Sequence, residues 1–433
     1  MSTGKPHVLI ITYYWPPAGG PGVQRWLKFA KYLPDAGFIP VVLTVDPKTA
    51  TYPVQDESLL RETQDIEVHH APTQELFSLY KRASGRKEIP FSGFANESDK
   101  PGPRQRLAKF IRGNFFIPDP RKAWNKKALA KALELIDQYQ IKHVVTTSPP
   151  HSSQLIGKSI KAKREVTWMA DMRDPWTDIY YYDLFYPTAL AKAYDSFLER
   201  KVLENADVVS TVSKDLVRLF SEKSKALTKD KFLILPNGFD EADFDRSKRP
   251  HSDKWVISYT GTFTADYSMD SFYKAIESLR DAEAEKIKIQ FIGRRDEVSE
   301  KRLRELRSNT RVEVILKGYV SHSEAVIAMQ ESNALLLGIP DLENNKGILT
   351  GKIFEYLGSH RPILGVGPVD GDAAQIIRDT EAGQFFSYGD SKGMVEWIRT
   401  SLSGESHLPK KVDFYERKSL TQQVAKALSG REL

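Results

Sequence analysis

Lys352 and Glu355, one helical turn apart behind Thr350 and Gly351, are the side chains of this sequence best spaced to hold a phosphate and a pair of vicinal hydroxyls. They lie in Gly347-Ile-Leu-Thr-Gly-Lys-Ile-Phe-Glu-Tyr-Leu-Gly-Ser-His-Arg-Pro362, which reads as a polar loop, a short helix and the lead-in to a buried strand. Thr350 can cap the helix by accepting a hydrogen bond from a backbone N–H two or three residues on. The remaining free N–H groups of the first turn then form an anion site. Ile353, Phe354 and Leu357 fall on one face and Lys352, Glu355 and Ser359 on another, so a buried side separates from a ligand-facing side. A phosphate would meet Lys352 and the helix start; Glu355 would accept from the two hydroxyls of a ribose. An ordinary amphipathic helix with a solvated Lys–Glu pair has the same spacing.

The elements that could position other chemistry recur earlier. Residues 7–12 form a β-branched apolar run, followed by Tyr13-Tyr-Trp-Pro-Pro-Ala-Gly-Gly-Pro-Gly22, a helical pattern through Trp26, Phe29, Ala30 and Leu33, and a second strand at 40–45. This is one βαβ unit of a parallel sheet. Gly19, Gly20 and Gly22 let the backbone approach a ligand at the C-terminal edge of that sheet. A nicotinamide dinucleotide site with Asp46 on the ribose is the rival reading, but Gly20-Pro-Gly-Val-Gln-Arg25 has Arg where close helix packing needs a third Gly. Strands at 143–147 and up to Met172 end in Ser148-Pro-Pro-His151 and Met169-Ala-Asp-Met-Arg-Asp-Pro-Trp176. His151, Asp171, Arg173 and Asp174 therefore share the rim of the glycine-rich turn, although polar residues at strand ends also serve as caps and turn formers.

Two successive strand–helix series separated by a polar stretch at 240–254 predict two Rossmann-like, doubly wound α/β domains, residues 1–245 and 250–410, facing each other across a cleft. The amphipathic segment within 411–433 is expected to be a helix crossing back to the first domain. With 433 residues, 40% hydrophobic and 28% charged, the composition is that of a soluble globular protein. No apolar run reaches a membrane span, and the first residues lack a secretion signal's apolar core, so the expected location is cytoplasmic. The absence of cysteine excludes disulfides and thiolate metal sites.

Charge is uneven: residues 81–165 hold 19 Lys and Arg against 7 Asp and Glu, a net +12 in a chain of net +6. Segments 81–87 and 91–103 read as a basic insertion. In 104–117, Leu107, Phe110, Ile111 and Phe115 keep helical spacing, with Arg104, Arg106, Lys109 and Arg112 around them. Such a helix either lies on an anionic membrane or is a core helix with solvated basic residues. Nucleic acid is not expected as a partner, because the aromatics do not alternate with cations on a strand platform.

Thr350-Gly-Lys-Ile-Phe-Glu-Tyr-Leu-Gly-Ser-His-Arg-Pro-Ile-Leu364 resembles the donor-binding segment of the family 4 glycosyltransferases, retaining enzymes of GT-B fold that use nucleotide sugars. There it commonly runs P-S-K-x-x-E-Y-x-A-x-G-x-P. The Pro16-Pro to Gly20 loop, Ala206-Asp-Val-Val-Ser-Thr-Val-Ser213 and Pro236-Asn-Gly-Phe-Asp240 resemble further family segments in the same order. The resemblance implies that Glu355 holds the donor ribose, that Gly19, Gly20 and Gly22 face the donor phosphates and the acceptor, and that His151, Asp171 and Asp174 lie near the transferred sugar. The family's second Glu, eight positions before Glu355, is Gly347 here. Its diphosphate-binding Arg and Lys are absent from Gly261-Thr-Phe-Thr-Ala-Asp-Tyr-Ser268. The diphosphate is therefore expected on Lys352, on the helix start at Thr350 and Gly351, on the Gly261–Thr262 turn, and on Arg294 or Arg295.

The implied activity is retaining transfer of a sugar from a nucleotide sugar to a glycan or lipid-linked acceptor in cell-surface polysaccharide or glycoconjugate synthesis. His151, Asp171, Asp174 and Lys352 form the expected catalytic set, with no cofactor and no metal. The chain is expected on the inner face of the plasma membrane through 104–127. A nucleotide-sugar epimerase on the same fold and a non-catalytic GT-B partner subunit remain alternatives.

Overall fold

The computed structural model describes residues 4–52, 55–73, 102–404 and 408–430, so the expected basic insertions at 81–87 and most of 91–103 lie outside the described residues. The chain divides into two compact units, one of Met1–Pro236 with Leu420–Leu433 and one of Asn237–Ser419.

The first unit is a seven-stranded parallel sheet in the order β3-β2-β1-β4-β5-β6-β7. Its strands are β1 (His7–Ile11), β2 (Ile39–Val45), β3 (Glu67–Ala71), β4 (His143–Ser148), β5 (Thr167–Met172), β6 (Val208–Thr211) and β7 (Phe232–Ile234). Val- and Ile-rich runs suit these positions because helices cover both faces of a parallel sheet. Leu9, Val41, Leu43 and Val144 face one core with Trp124, Ala132 and Leu135. Val8, Ile10, Val42 and Val145 face the other, with Trp26, Phe29 and Leu33 and with Leu420, Val424 and Leu428 from the end of the chain. The helices are α1 (Pro21–Tyr32), α2 (Pro103–Phe115), α3 (Asn125–Tyr139), α4 (Ser152–Lys161), α5 (Ala189–Asn205) and α6 (Lys214–Ser221). Pro21 begins α1, where its missing N–H costs nothing and its fixed φ is already helical.

The apolar positions of the basic helix do not lie in the core. Along α2, Leu107 is 60% and Phe115 68% exposed, whereas Ala108 and Lys109 are the buried residues.

The second unit has six parallel strands in the order β10-β9-β8-β11-β12-β13. They are β8 (Trp255–Thr260), β9 (Ile287–Ile292), β10 (Glu313–Lys317), β11 (Ala334–Gly338), β12 (Ile363–Val366) and β13 (Gly383–Phe386). Between them run α7 (Asp270–Glu277), α8 (Glu297–Asn309), α9 (His322–Gln330), α10 (Gly351–Ser359), α11 (Asp372–Asp379) and α12 (Ser391–Leu402). The last helix, α13 (Arg417–Leu428), carries the chain back to the first unit's core. Phe239, just before the polar stretch, and Phe244, within it, pack with Phe354, Leu357 and Tyr415 in the second unit. Ile353, Phe354 and Leu357 are fully buried, each worth about 1.5–3 kcal/mol, and this fixes which way α10 faces. In each sheet the order reverses beside the first strand, at β1/β4 and at β8/β11, and ligands of such sheets bind beyond the C-terminal strand ends at that point.

Candidate functional site

In the second unit the switch point is lined by the turn after β8 and the start of α10. Gly261 follows β8 with φ +100°, a left-handed conformation that favours glycine. A Cβ there would stand 2.8 Å from Cε of Lys352, so the lysine side chain runs across the bare face of this turn. The Lys352 ammonium ends 5.2 Å from the ring centroid of Tyr259 and 5.6 Å from that of Tyr267, held by two cation–π contacts. Gly293, at the end of β9 with φ +132°, lies so close to the Gly261 carbonyl that any side chain would collide with it. The Gly261 N–H donates to Ile292 O at 2.8 Å and Phe263 N–H to Arg294 O at 2.9 Å, locking the two strand-end turns together. Tyr356 anchors α10 to the sheet: its hydroxyl accepts from Thr260 N–H at 3.1 Å and donates to Leu336 O at 3.3 Å.

Thr350 occupies the N-cap position of α10, but its hydroxyl accepts nothing from the helix, contrary to the capping expected from sequence. Its backbone is extended (φ −70°, ψ 147°), and Oγ1 is buried without a hydrogen-bond partner. A Cβ on Gly351 would point into open space, so the first turn of the helix is accessible. One turn along, Glu355 Oε1 lies 3.4 Å from Nε2 of His322, at the start of α9. That hydrogen bond is the main cause of a raised His322 pKa. His322 was missed in the sequence, although the Ser321-x-x-Glu324 capping box that begins its helix was a usable signal. Of the two candidate arginines, Arg295 is spent on backbone, donating to Gly293 O at 2.7 Å and Lys317 O at 2.6 Å, while Arg294 is exposed. Thr262 lies within the same turn, its carbonyl accepting from the Tyr259 hydroxyl at 2.7 Å. Gly347 closes a tight turn that Asn345 fixes by donating to Pro340 O at 2.9 Å and to the Tyr388 hydroxyl at 3.0 Å.

The first unit's rim divides its candidates into a buried one and a surface group. Asp171 is fully buried and accepts five hydrogen bonds: from Arg25 Nη2 and Nε at 2.8 and 3.2 Å, Trp26 Nε1 at 2.7 Å, Thr147 Oγ1 at 2.7 Å and Ser210 Oγ at 2.8 Å. A carboxylate so saturated positions its surroundings and offers no oxygen to a sugar, which corrects the expectation from its strand-end position. Burial alone would raise its pKa, but the charge and hydrogen bonds of Arg25 outweigh it and hold the group below the usual carboxylate range. Arg25, placed where a third glycine would stand in a dinucleotide fold, is the buried counter-ion.

His151, Arg173 and Asp174 gather above this ion pair. His151 stacks on Trp176 with ring centroids 4.9 Å apart and planes at 13°, and its Nδ1 is buried without a partner. Burial, then the charge of Arg173, pushes its pKa down to about 3, so the ring is neutral at physiological pH. Arg173 donates to Ser148 O at 2.9 Å, and its guanidinium fills the space a Gly22 side chain would need, 2.7 Å from that Cβ position. The glycine-rich turn, with Gly19 and Gly20 before it, thus accommodates an arginine of the chain's own at Gly22. Asp174 has its pKa raised by burial, with Arg173 opposing. Among the described residues no group of three or more His, Asp or Glu is placed to hold a metal ion.

No protein-family model matches the chain. Nor does any curated protein sequence. Solved structures do match over nearly its whole length. Sucrose-phosphate synthase from Thermosynechococcus elongatus has a TM-score of 0.56 at 13% identity, covering 98% of this chain and 95% of that one. Anabaena HepE in complex with UDP gives 0.55 at 12% identity, with 97% and 94% covered. WaaG, a glycosyltransferase involved in lipopolysaccharide biosynthesis, gives 0.54 at 14% identity, with 98% and 100% covered. The likeness establishes the fold: two parallel-sheet α/β domains of the GT-B glycosyltransferase type.

Proposed function

We propose that this chain is a retaining hexosyltransferase of the family 4 kind, moving a sugar from a nucleotide sugar to a glycan or lipid-linked acceptor in cell-surface polysaccharide or glycoconjugate synthesis. The observation that carries the reading is the second unit's switch point, where Lys352 crosses the bare Gly261 turn at an accessible helix start and Glu355 stands one turn along. Fold does not fix function, so the weight rests on this site. The UDP bound to HepE supports a nucleotide donor, and the involvement of WaaG in lipopolysaccharide biosynthesis supports a surface-glycan acceptor.

In this reading negative charge grows on the departing diphosphate as the bond from the sugar's anomeric carbon breaks. Lys352 and the first-turn N–H dipoles of α10 meet that charge without reorganising. The proposal takes no metal and no cofactor. Glu355 leaves His322 to receive the ribose hydroxyls. In the first unit, Arg173, Asp174 and neutral His151 form the acceptor-side rim above the Asp171–Arg25 pair. The basic stretch 104–127 brings the chain, as a peripheral protein, to the inner face of the plasma membrane.

The test is turnover of a panel of nucleotide sugars with glycan and lipid-linked acceptors, the product's anomeric configuration being read by NMR. Retention is expected, with Glu355→Ala weakening donor binding and Lys352→Ala chiefly lowering turnover. Full activity of both variants on every active donor would refute the assignment. Turnover of the donor without any acceptor would favour an epimerase.

A further inference from the structure

Helix α5 buries two carboxylates beside Ala191, Leu198, Val202 and Leu203, and it leaves an apolar stripe outside. Its inner face carries carboxylates: Asp195 accepts from Trp176 Nε1 at 2.7 Å and from the Tyr182 hydroxyl at 3.0 Å, and fully buried Glu199 pairs with Lys223 at 3.3 Å. Its outer face carries Leu190, Tyr194 and Phe197, spaced i, i+4, i+7 and 80%, 52% and 42% exposed. A helix that met only water on that side would show the opposite pattern.

Helix α2 repeats the arrangement, with Leu107, Ile111 and Phe115 in one exposed line and Lys109 buried. The two stripes meet end to end. Asn114, next to the last residue of α2, donates from Nδ2 to Tyr186 O at 3.0 Å and accepts at Oδ1 from the N–H of Thr188 at 2.8 Å. Thr188 is the residue that caps α5. Gly113 lies against the Phe185 carbonyl with no room for a side chain, so this junction is tight. Arg112, over the Phe185 ring at 4.0 Å, seals it.

We propose that the outer stripes of α2 and α5 form one face that inserts into the headgroup–acyl boundary of an anionic bilayer. The partner follows from charge. Residues 102–127 hold eight Lys and Arg and one acidic residue, Asp119. A second copy docking isologously would set this excess against itself, whereas anionic lipid neutralises it. Tyr186 and Tyr194 give the face amphipathic rings of the kind found at headgroup level. No helix among the described residues is long and apolar enough to cross a membrane, so this attachment is interfacial. The inference goes beyond the purely electrostatic contact proposed above: apolar insertion makes part of the binding resistant to salt. It rests on the transferase reading only for its purpose, since vesicle binding is measured without donor or acceptor.

The test is co-sedimentation of the full chain with phosphatidylcholine vesicles, with and without phosphatidylglycerol, at about 0.1 M and about 0.5 M salt. The wild type binds the anionic vesicles and keeps a bound fraction at the higher salt. Phe115→Ser/Leu190→Ser/Phe197→Ser, all exposed positions, removes the salt-resistant part, weakening binding by about tenfold or more. Arg104→Glu/Arg106→Glu removes the salt-sensitive part. Circular dichroism and the nucleotide-sugar thermal shift stay as in the wild type for both. Wild-type binding abolished at high salt, a triple variant that binds as the wild type does, or a wild-type dimer dispersed by the triple variant would each overturn the proposal. Vesicle binding as described in a chain that binds no nucleotide would leave it standing and sink the transferase reading instead.

Discussion

Replacing Asp171 by alanine should unfold the first unit more easily and should not act as the loss of a catalytic group. The carboxylate is fully buried, and its partner Arg25 is 1% exposed. Without Asp171 the guanidinium keeps its bonds to Leu235 O and Pro236 O, both carbonyls, and loses the carboxylate paired with it. Trp26, Thr147 and Ser210 lose an acceptor as well. Breaking a buried ion pair from one side costs about 3–5 kcal/mol. For a unit of this size that is a fall in Tm of roughly 6–20 °C, read by calorimetry or near-UV circular dichroism. The pH dependence follows from the lowered pKa. The pair's contribution is complete above the unfolded aspartate value of about 3.9 and is lost as pH falls through the lower folded value. The gap between wild type and variant should therefore be constant from neutral pH to about 5 and shrink below about 4. A variant with wild-type Tm and abolished turnover would refute the argument and return Asp171 to the chemistry.

Two further outcomes concern the histidines. Because Glu355 raises the His322 pKa, their pairing is complete below about 6.5 and is lost as pH rises through the raised value. Donor affinity should therefore strengthen across that rise as Glu355 is freed, and His322→Ala should flatten the dependence; calorimetric titrations at about pH 6 and about pH 8.5 decide it, equal slopes counting against the coupling. His151, held neutral down to about 3, makes the unfolded chain the better proton acceptor below about 6.5, so wild-type stability falls with pH through that window. His151→Phe should reduce the fall in urea midpoint between about pH 7 and about pH 4.5, and an unchanged fall would mean the ring is solvated.

The Val- and Ile-rich runs, the glycine-bearing strand ends and the period of Ile353, Phe354 and Leu357 made the two sheets and α10 legible, since each is a local pattern. Two of the four edge strands, β3 and β13, were not. β3 is Glu67-Val-His-His-Ala71, and an edge strand with one neighbour and partly open faces needs no apolar run. β13, Gly383-Gln-Phe-Phe386, escaped notice for the same reason. The five donors on Asp171 come from positions up to 146 residues away, so nothing beside it in the chain distinguished a saturated buried carboxylate from a ligand-facing one. Glu355 and His322 are 33 residues apart, brought together only by the packing of α9 on α10. For α2 the periodicity showed that a stripe exists, while its direction is set by Asn114 and Gly113 against residues 185–188.

Calorimetric titration of nucleoside diphosphates, and of their sugar conjugates, into the wild type and Lys352→Ala tests the central claim most directly. At least one nucleoside diphosphate should bind, and the variant should lose roughly 10- to 150-fold in affinity for it, the loss of a charge-assisted hydrogen bond of about 1.5–3 kcal/mol. The loss should be smaller for the matching nucleotide sugar, whose terminal phosphate carries less charge. Absence of binding by every nucleoside diphosphate and nucleotide sugar, or equal affinities in wild type and variant, would contradict the placement of the donor at the start of α10.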